Sequence, residues 1–163
     1  MTFEDYDKKG KAAEAIVESV LRERGWSVYK ETTGPHPLDG IAIQNAANTG
    51  KLPFCFEVKA KKRRRIHNDV GMDLRKLNKC IRLSQETGME CVWFVLETLS
   101  KTLYCAQISS LQKTCVSEGV TYPLTTTTID ERTGYNKEVV FFSLNQFKKI
   151  RDLTKEESLS FGL

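Results

Sequence analysis

Between Pro53 and Ala60 the chain alternates without a break, with Phe54, Phe56 and Val58 set against Cys55, Glu57 and Lys59. Successive side chains of an extended strand project to opposite faces, so the segment reads as a strand that buries the first set and carries Glu57 beside Lys59 on the other face. A slip of one residue would exchange the two sets, so burial of the phenylalanines also fixes where the charged pair points. Upstream, Asp39 interrupts a second apolar run, Leu38 to Ile43, which suits a buried strand. The small polar stretch Asn45 to Gly50 suits a hairpin loop between the two. A carboxylate or ammonium is costly to bury unpaired, so Asp39, Glu57 and Lys59 require one another or a metal cation. Two carboxylates with one lysine suit a divalent cation.

The rest of the chain supplies a scaffold. From Tyr6 to Arg24 the residues Ala12, Ala13, Ile16, Val17, Val20 and Leu21 recur at helical spacing, and Gly25 follows as a stop. Trp26 to Lys30 predicts a short strand, and Thr33-Gly34-Pro35-His36-Pro37 a turn-rich break. Val70, Leu74, Leu77 and Ile81 lie three and four apart and predict a second amphipathic helix that ends near Gly88. Cys91 to Glu97, a nearly continuous apolar run, fits a central strand, and Thr102 to Ile108 another. Leu124 to Ile129 and Glu138 to Phe142 are expected to pair, the four threonines from Thr125 suit an exposed strand, and Leu144 to Ile150 reads as a short helix. Trp93, Tyr104, Phe141 and Phe142 are expected in the core. With 163 residues and no repeat or linker, the expectation is one α/β domain over residues 1–163, with a mixed central sheet.

No stretch approaches the roughly 20 apolar residues that span a bilayer, and Met1 to Lys11 is polar rather than signal-like. A cytoplasmic protein without a membrane partner is expected. Cys55, Cys80, Cys91, Cys105 and Cys115 are odd in number and scattered, as free thiols in a reducing compartment would be, and the lack of any C-x-x-C pair argues against structural zinc. The net charge of +4 says little, but six of the seven residues from Lys59 to Arg65 are Lys or Arg. Lys61, Lys62, Arg63, Arg64 and Arg65 are therefore expected to contact a DNA backbone, the alternative being a solvated loop. Lys76 and Lys79 on the second helix either extend that track or form its exposed face. His36 and His67 are read as turn or surface residues. Glu14 falls about 20° from Leu21 on the first helix, at the edge of the apolar stripe, so it either reaches the charged site or stays a surface glutamate.

An Asp opening one strand, Glu-x-Lys on the next and a Glu on the preceding helix together resemble the PD-(D/E)XK nuclease superfamily. Within it, the helix glutamate and compact size are most similar to Holliday junction resolvases and related phage or mobile-element endonucleases. The resemblance covers roughly Lys11 to Leu96. Leu38 departs from it, standing where a proline is usual, with Pro37 one position earlier; this bears on turn geometry rather than chemistry. The resemblance implies a restriction-endonuclease-like core in the order αβββαβ and a metal-dependent DNA endonuclease, acting on branched or recombination DNA in a prokaryotic or phage-infected cell. Asp39, Glu57 and the Val58 carbonyl would hold Mg²⁺ or Mn²⁺, as one ion or two, with Glu14 as a further ligand or a residue behind the ligands. Lys59 would orient the attacking water or contact the phosphate, and a homodimer would let both strands be cut. The alternatives are a binding module of the same fold that has lost its chemistry, which the intact Asp39, Glu57 and Lys59 disfavour, and a restriction-type or RNA-directed nuclease.

Overall fold

The computed structural model describes residues 3–30, 38–44, 50–64, 66–111, 116–117, 120–121, 125–129, 134 and 136–161. The turn Thr33 to Pro37 with His36, most of the Asn45 to Gly50 loop, Arg65, Cys115 and Leu124 lie outside them. In chain order the elements are α1 (Phe3–Glu23), β1 (Trp26–Tyr29), β2 (Gly40–Gln44), β3 (Phe54–Lys61), β4 (Asp69–Asp73), α2 (Leu74–Thr87), β5 (Glu90–Glu97) and β6 (Thr102–Gln107). They are followed by β7 (Val116–Ser117), β8 (Val120–Thr121), β9 (Thr125–Ile129), β10 (Asn136–Ser143), β11 (Lys148–Asp152) and α3 (Lys155–Ser160).

The main sheet has the order β1-β2-β3-β5-β6-β11 and is mixed: β3 runs parallel to β5, and the other neighbours are antiparallel. Alternation along the strands decides what covers each face. Phe56 and Val58 of β3 pack with Phe94 and Leu96 of β5 under Ala13, Ile16, Val17 and Val20 of α1, and Phe161 closes the same layer. Cys55, Trp93 and Val95 point the other way, beneath Leu77 and Cys80 of α2 and the smaller sheet β4-β10-β9, which adds Val70, Met72, Val140 and Phe142. Each large side chain buried this way contributes about 1.5–3 kcal/mol. A mixed central sheet flanked by helices is thus the architecture, as the sequence implied.

Two elements differ from expectation. Val70 belongs to a strand, not to α2: β4 buries Val70 and Met72 at strand spacing, and at Gly71 an added Cβ would stand 2.5 Å from Val139. Asp73 then ends the strand and caps α2, its carboxylate accepting the Arg75 amide at 2.8 Å. The spacing from Val70 to Leu74 mimicked a helical turn across that boundary. Leu144 to Ile150 is likewise not a helix. One tight turn at 144–146 puts Leu144 and Phe147 into the core, and Lys148–Asp152 leaves as the edge strand on β6, with the register shifting between Lys149 and Arg151. The predicted end of α2 holds: Gly88 adopts φ 70° and donates its amide to the Ser84 carbonyl. Among the described residues no helix is long and apolar enough to cross a membrane.

Candidate active site

Asp39 stands one residue ahead of β2 and clips onto β3. Its amide donates to the Phe56 carbonyl at 3.0 Å, and its Oδ2 accepts the Val58 amide at 2.6 Å. The regular pairing of β2 with β3 ends at Gly40 and Phe56, so the Asp39 carboxylate takes over where the ladder stops. Gly40 permits the close approach, since a Cβ there would meet the Phe56 ring at 2.6 Å and the Tyr29 carbonyl at 2.9 Å. In an extended strand the amide and carbonyl of one residue face the same edge, so the Val58 carbonyl is directed to the Asp39 side.

Glu57 is wholly buried, opposite Trp93 of β5. One oxygen lies 2.7 Å from Lys59 Nζ and the other 2.8 Å from Lys76 Nζ, reaching across from α2. Each carboxylate oxygen is thus compensated by one ammonium group. Burial is the main cause that raises the Glu57 carboxyl above its ordinary value, and the Asp39 charge adds to it against the opposing pull of Lys59 and Lys76. For Lys59, burial pushes the ammonium down, but Glu57, Asp39 and Glu14 together outweigh it and the value is raised. Lys59 is therefore a cation at neutral pH. Its side chain is 44% exposed, which leaves it open to a ligand arriving from solvent.

A hard divalent cation fits this donor set. Glu57 presents two buried oxygens, Asp39 sits on the neighbouring strand, and a backbone carbonyl faces the same edge. Among the described residues no three His, Cys, Asp or Glu side chains form a group able to hold a metal. Glu14 accordingly stands outside any three-carboxylate group. It pairs with Lys30 at 3.4 Å, while its charge still reaches Lys59.

The basic run divides. Arg64 is held in a two-point contact with buried Asp69, with Nε to Oδ1 at 2.7 Å, and its guanidinium lies 3.6 Å from the Phe141 ring centre. Arg63 donates its amide to Glu97 at 3.2 Å and its guanidinium to Asn68 at 3.0 Å. Both arginines thus pin the loop to the body of the protein. Lys62 and His67 are exposed, Lys61 is half-buried, and Lys79 lies on the exposed face of α2.

Two functions of side chains were not foreseen from sequence. Lys76 reaches the Glu57 cluster from α2. Glu97, also wholly buried, accepts the amides of Arg63, Leu99 and Ser100 and the Ser100 hydroxyl, and so ties the exit of β3 to the turn after β5. Its signal was present: a lone carboxylate ending an apolar strand needs partners, as Glu57 does.

No family model and no curated protein matches the chain. Among solved structures, its fold is similar to Hjc, a Holliday junction resolvase from the archaeal hyperthermophile Archaeoglobus fulgidus, with a TM-score of 0.50 and 15% identity over 81% of this chain and 84% of that one. The likeness establishes a restriction-endonuclease-like fold, and at this identity it speaks for the fold alone.

Proposed function

We propose that this chain is a Mg²⁺- or Mn²⁺-dependent DNA endonuclease, one nuclease domain over residues 1–163, that hydrolyses phosphodiesters in branched or recombination DNA in the cytoplasm of a prokaryotic or phage-infected cell. The observation that carries the reading is the convergence of Asp39, Glu57 and Lys59: the Asp39 carboxylate grips β3 at Val58, beside a wholly buried Glu57 whose oxygens lie against the ammonium groups of Lys59 and Lys76. Two carboxylates and an open lysine gathered at the end of one strand suit a divalent cation and a phosphate ligand, and strongly perturbed buried groups of this kind cluster at functional sites. The fold's likeness to a Holliday junction resolvase supports the substrate class.

Asp39, Glu57 and the Val58 carbonyl would hold the ion, which would supply activation of a water and neutralisation of charge gathering on the phosphate. Asp39 does double duty, since its hold on the Val58 amide also aims the Val58 carbonyl. Lys59 stays protonated and offers its ammonium to the phosphate oxygens or to the attacking water, stabilising the transition state electrostatically. The water oxygen forms the new bond to phosphorus and gives up one proton to solvent, while the bond from phosphorus to the leaving sugar oxygen breaks and that oxygen takes a proton from solvent. On this reading Lys61 and Lys62, with Lys79 on α2, follow the DNA backbone, and a homodimer would deliver two such sites to two strands.

Labelled four-way junction, flap, single-stranded and linear duplex DNA, offered with Mg²⁺ or with chelator, tests the reading. Metal-dependent cutting that favours branched DNA and disappears in Lys59→Ala is expected. Tight binding with no cutting under any condition would replace it with a binding module of the same fold.

A further inference from the structure

Glu57 meets two ammonium groups, although the shared strand supplies only one. Lys59 is fixed beside it by strand parity, two residues along β3, whereas Lys76 comes from a different element, three residues into α2 behind the Asp73 cap. Formal charge at the site then cancels: Asp39 and Glu57 against Lys59 and Lys76. Both Glu57 oxygens, one at 2.7 Å and one at 2.8 Å, already carry a cation. A divalent ion takes carboxylate oxygens at about 2.0–2.6 Å. Sharing an oxygen with an ammonium at such a distance sets two cations close together, a repulsion that the departure of one ammonium relieves.

We propose that Lys76 is a resident counter-cation that holds Glu57 in the metal-free protein and yields its place as a divalent ion enters, so that metal binding here is an exchange of cations. This rests on the metal-site reading of Asp39 and Glu57. Lys76 is the group that moves because it reaches Glu57 from a separate element, the helix α2, so its side chain can withdraw without disturbing β3. Lys59, on the same strand as Glu57 and drawn also by Asp39 and Glu14, stays. The exchange serves folding and function together. Lys76 keeps a buried carboxylate compensated before metal arrives, and afterwards its released ammonium lies on the α2 side of the site as a contact for incoming phosphate. Lys76 is on this account a positioning residue.

Mn²⁺ titration calorimetry on the full chain without DNA tests this, with Lys76→Met and Lys76→Gln as two independent removals of the charge and Asp39→Asn as the control for the site. Both Lys76 variants are expected to bind Mn²⁺ about tenfold more tightly than wild type, the scale on which residues around metal ligands alter affinity. They are also expected to melt lower than wild type in chelator, and to recover most of that difference at saturating Mn²⁺. A merely structural lysine would lower the melting temperature without tightening Mn²⁺ binding, so unchanged or weaker affinity in a folded variant overturns the exchange. Mn²⁺ binding that is absent from wild type, or insensitive to Asp39→Asn, would instead remove the metal-site reading and the exchange with it.

Discussion

Removing Asp39 in two ways separates its structural task from its chemical one. The Val58 amide is buried, with Val58 4% exposed, and donates to Asp39 Oδ2 at 2.6 Å. In Asp39→Ala that N–H loses its acceptor where water does not readily reach, a cost of about 1–3 kcal/mol. For a chain of this length each kcal/mol moves the melting temperature by about 2–4 °C, so a fall of roughly 4–8 °C is expected at the middle of that range. Asp39→Asn keeps a carbonyl oxygen in position. It weakens a charge-assisted bond to a neutral one and relieves the repulsion with Glu57, so a net change under about 1 kcal/mol is expected. Both variants nonetheless lose an anionic ligand and should cut DNA at least about 10³-fold more slowly, equivalent to about 4 kcal/mol of transition-state stabilisation. Melts followed by circular dichroism in chelator, beside cleavage rates in Mg²⁺, make the comparison. Equal destabilisation by the two substitutions would refute the clip onto β3, and wild-type cleavage by Asp39→Asn would refute the ligand role.

Three further outcomes follow from charged groups elsewhere. Lys61→Ala with Lys62→Ala should weaken DNA binding and flatten the slope of log affinity against log salt, by about 0.9 for each duplex phosphate no longer neutralised. Arg64→Ala should leave that slope unchanged, because its guanidinium is committed to Asp69, and lower the denaturant midpoint instead. Glu157 should make stability acid-sensitive: its hydrogen bonds from Arg151, the largest cause, hold the folded-state carboxyl below the ordinary 4.5. A depressed carboxyl stabilises the fold above its unfolded value and loses that contribution as pH falls through the folded one, so the melting-temperature gap between wild type and Glu157→Gln should be full at pH 7 and shrink on titration below about 4.5.

The strand β3 was legible because it is decided locally: parity alone puts Phe56 and Val58 opposite Glu57 and Lys59, and both faces are covered accordingly. α1 was legible for the same reason, its apolar stripe being long and uninterrupted. Legibility failed where two periods meet. Val70, Met72 and Leu74 bridge a strand and a helix, and only the Asp73 cap marks the boundary. Leu144 and Phe147 have the spacing of one helical turn, and only pairing with β6, distant in sequence, makes the next residues a strand. At the site, sequence supplied Asp39, Glu57 and Lys59 but not Lys76, because contact between α2 and β3 depends on how the helix docks, which no local spacing encodes. The arginines of the basic run show the same limit, since their contacts with Asp69 and Glu97 depend on the fold and composition alone does not reveal them.

The central claim is that Asp39 and Glu57 together hold a divalent cation. Crystals grown with Mn²⁺ and measured for its anomalous scattering test it without reference to any substrate. A single strong peak, or a close pair, bounded by the carboxylates of Asp39 and Glu57 and the Val58 carbonyl is the expected result, absent from Asp39→Asn crystals prepared alike. A fully ordered site with no peak at millimolar Mn²⁺, or a peak held by other residues, would contradict the account.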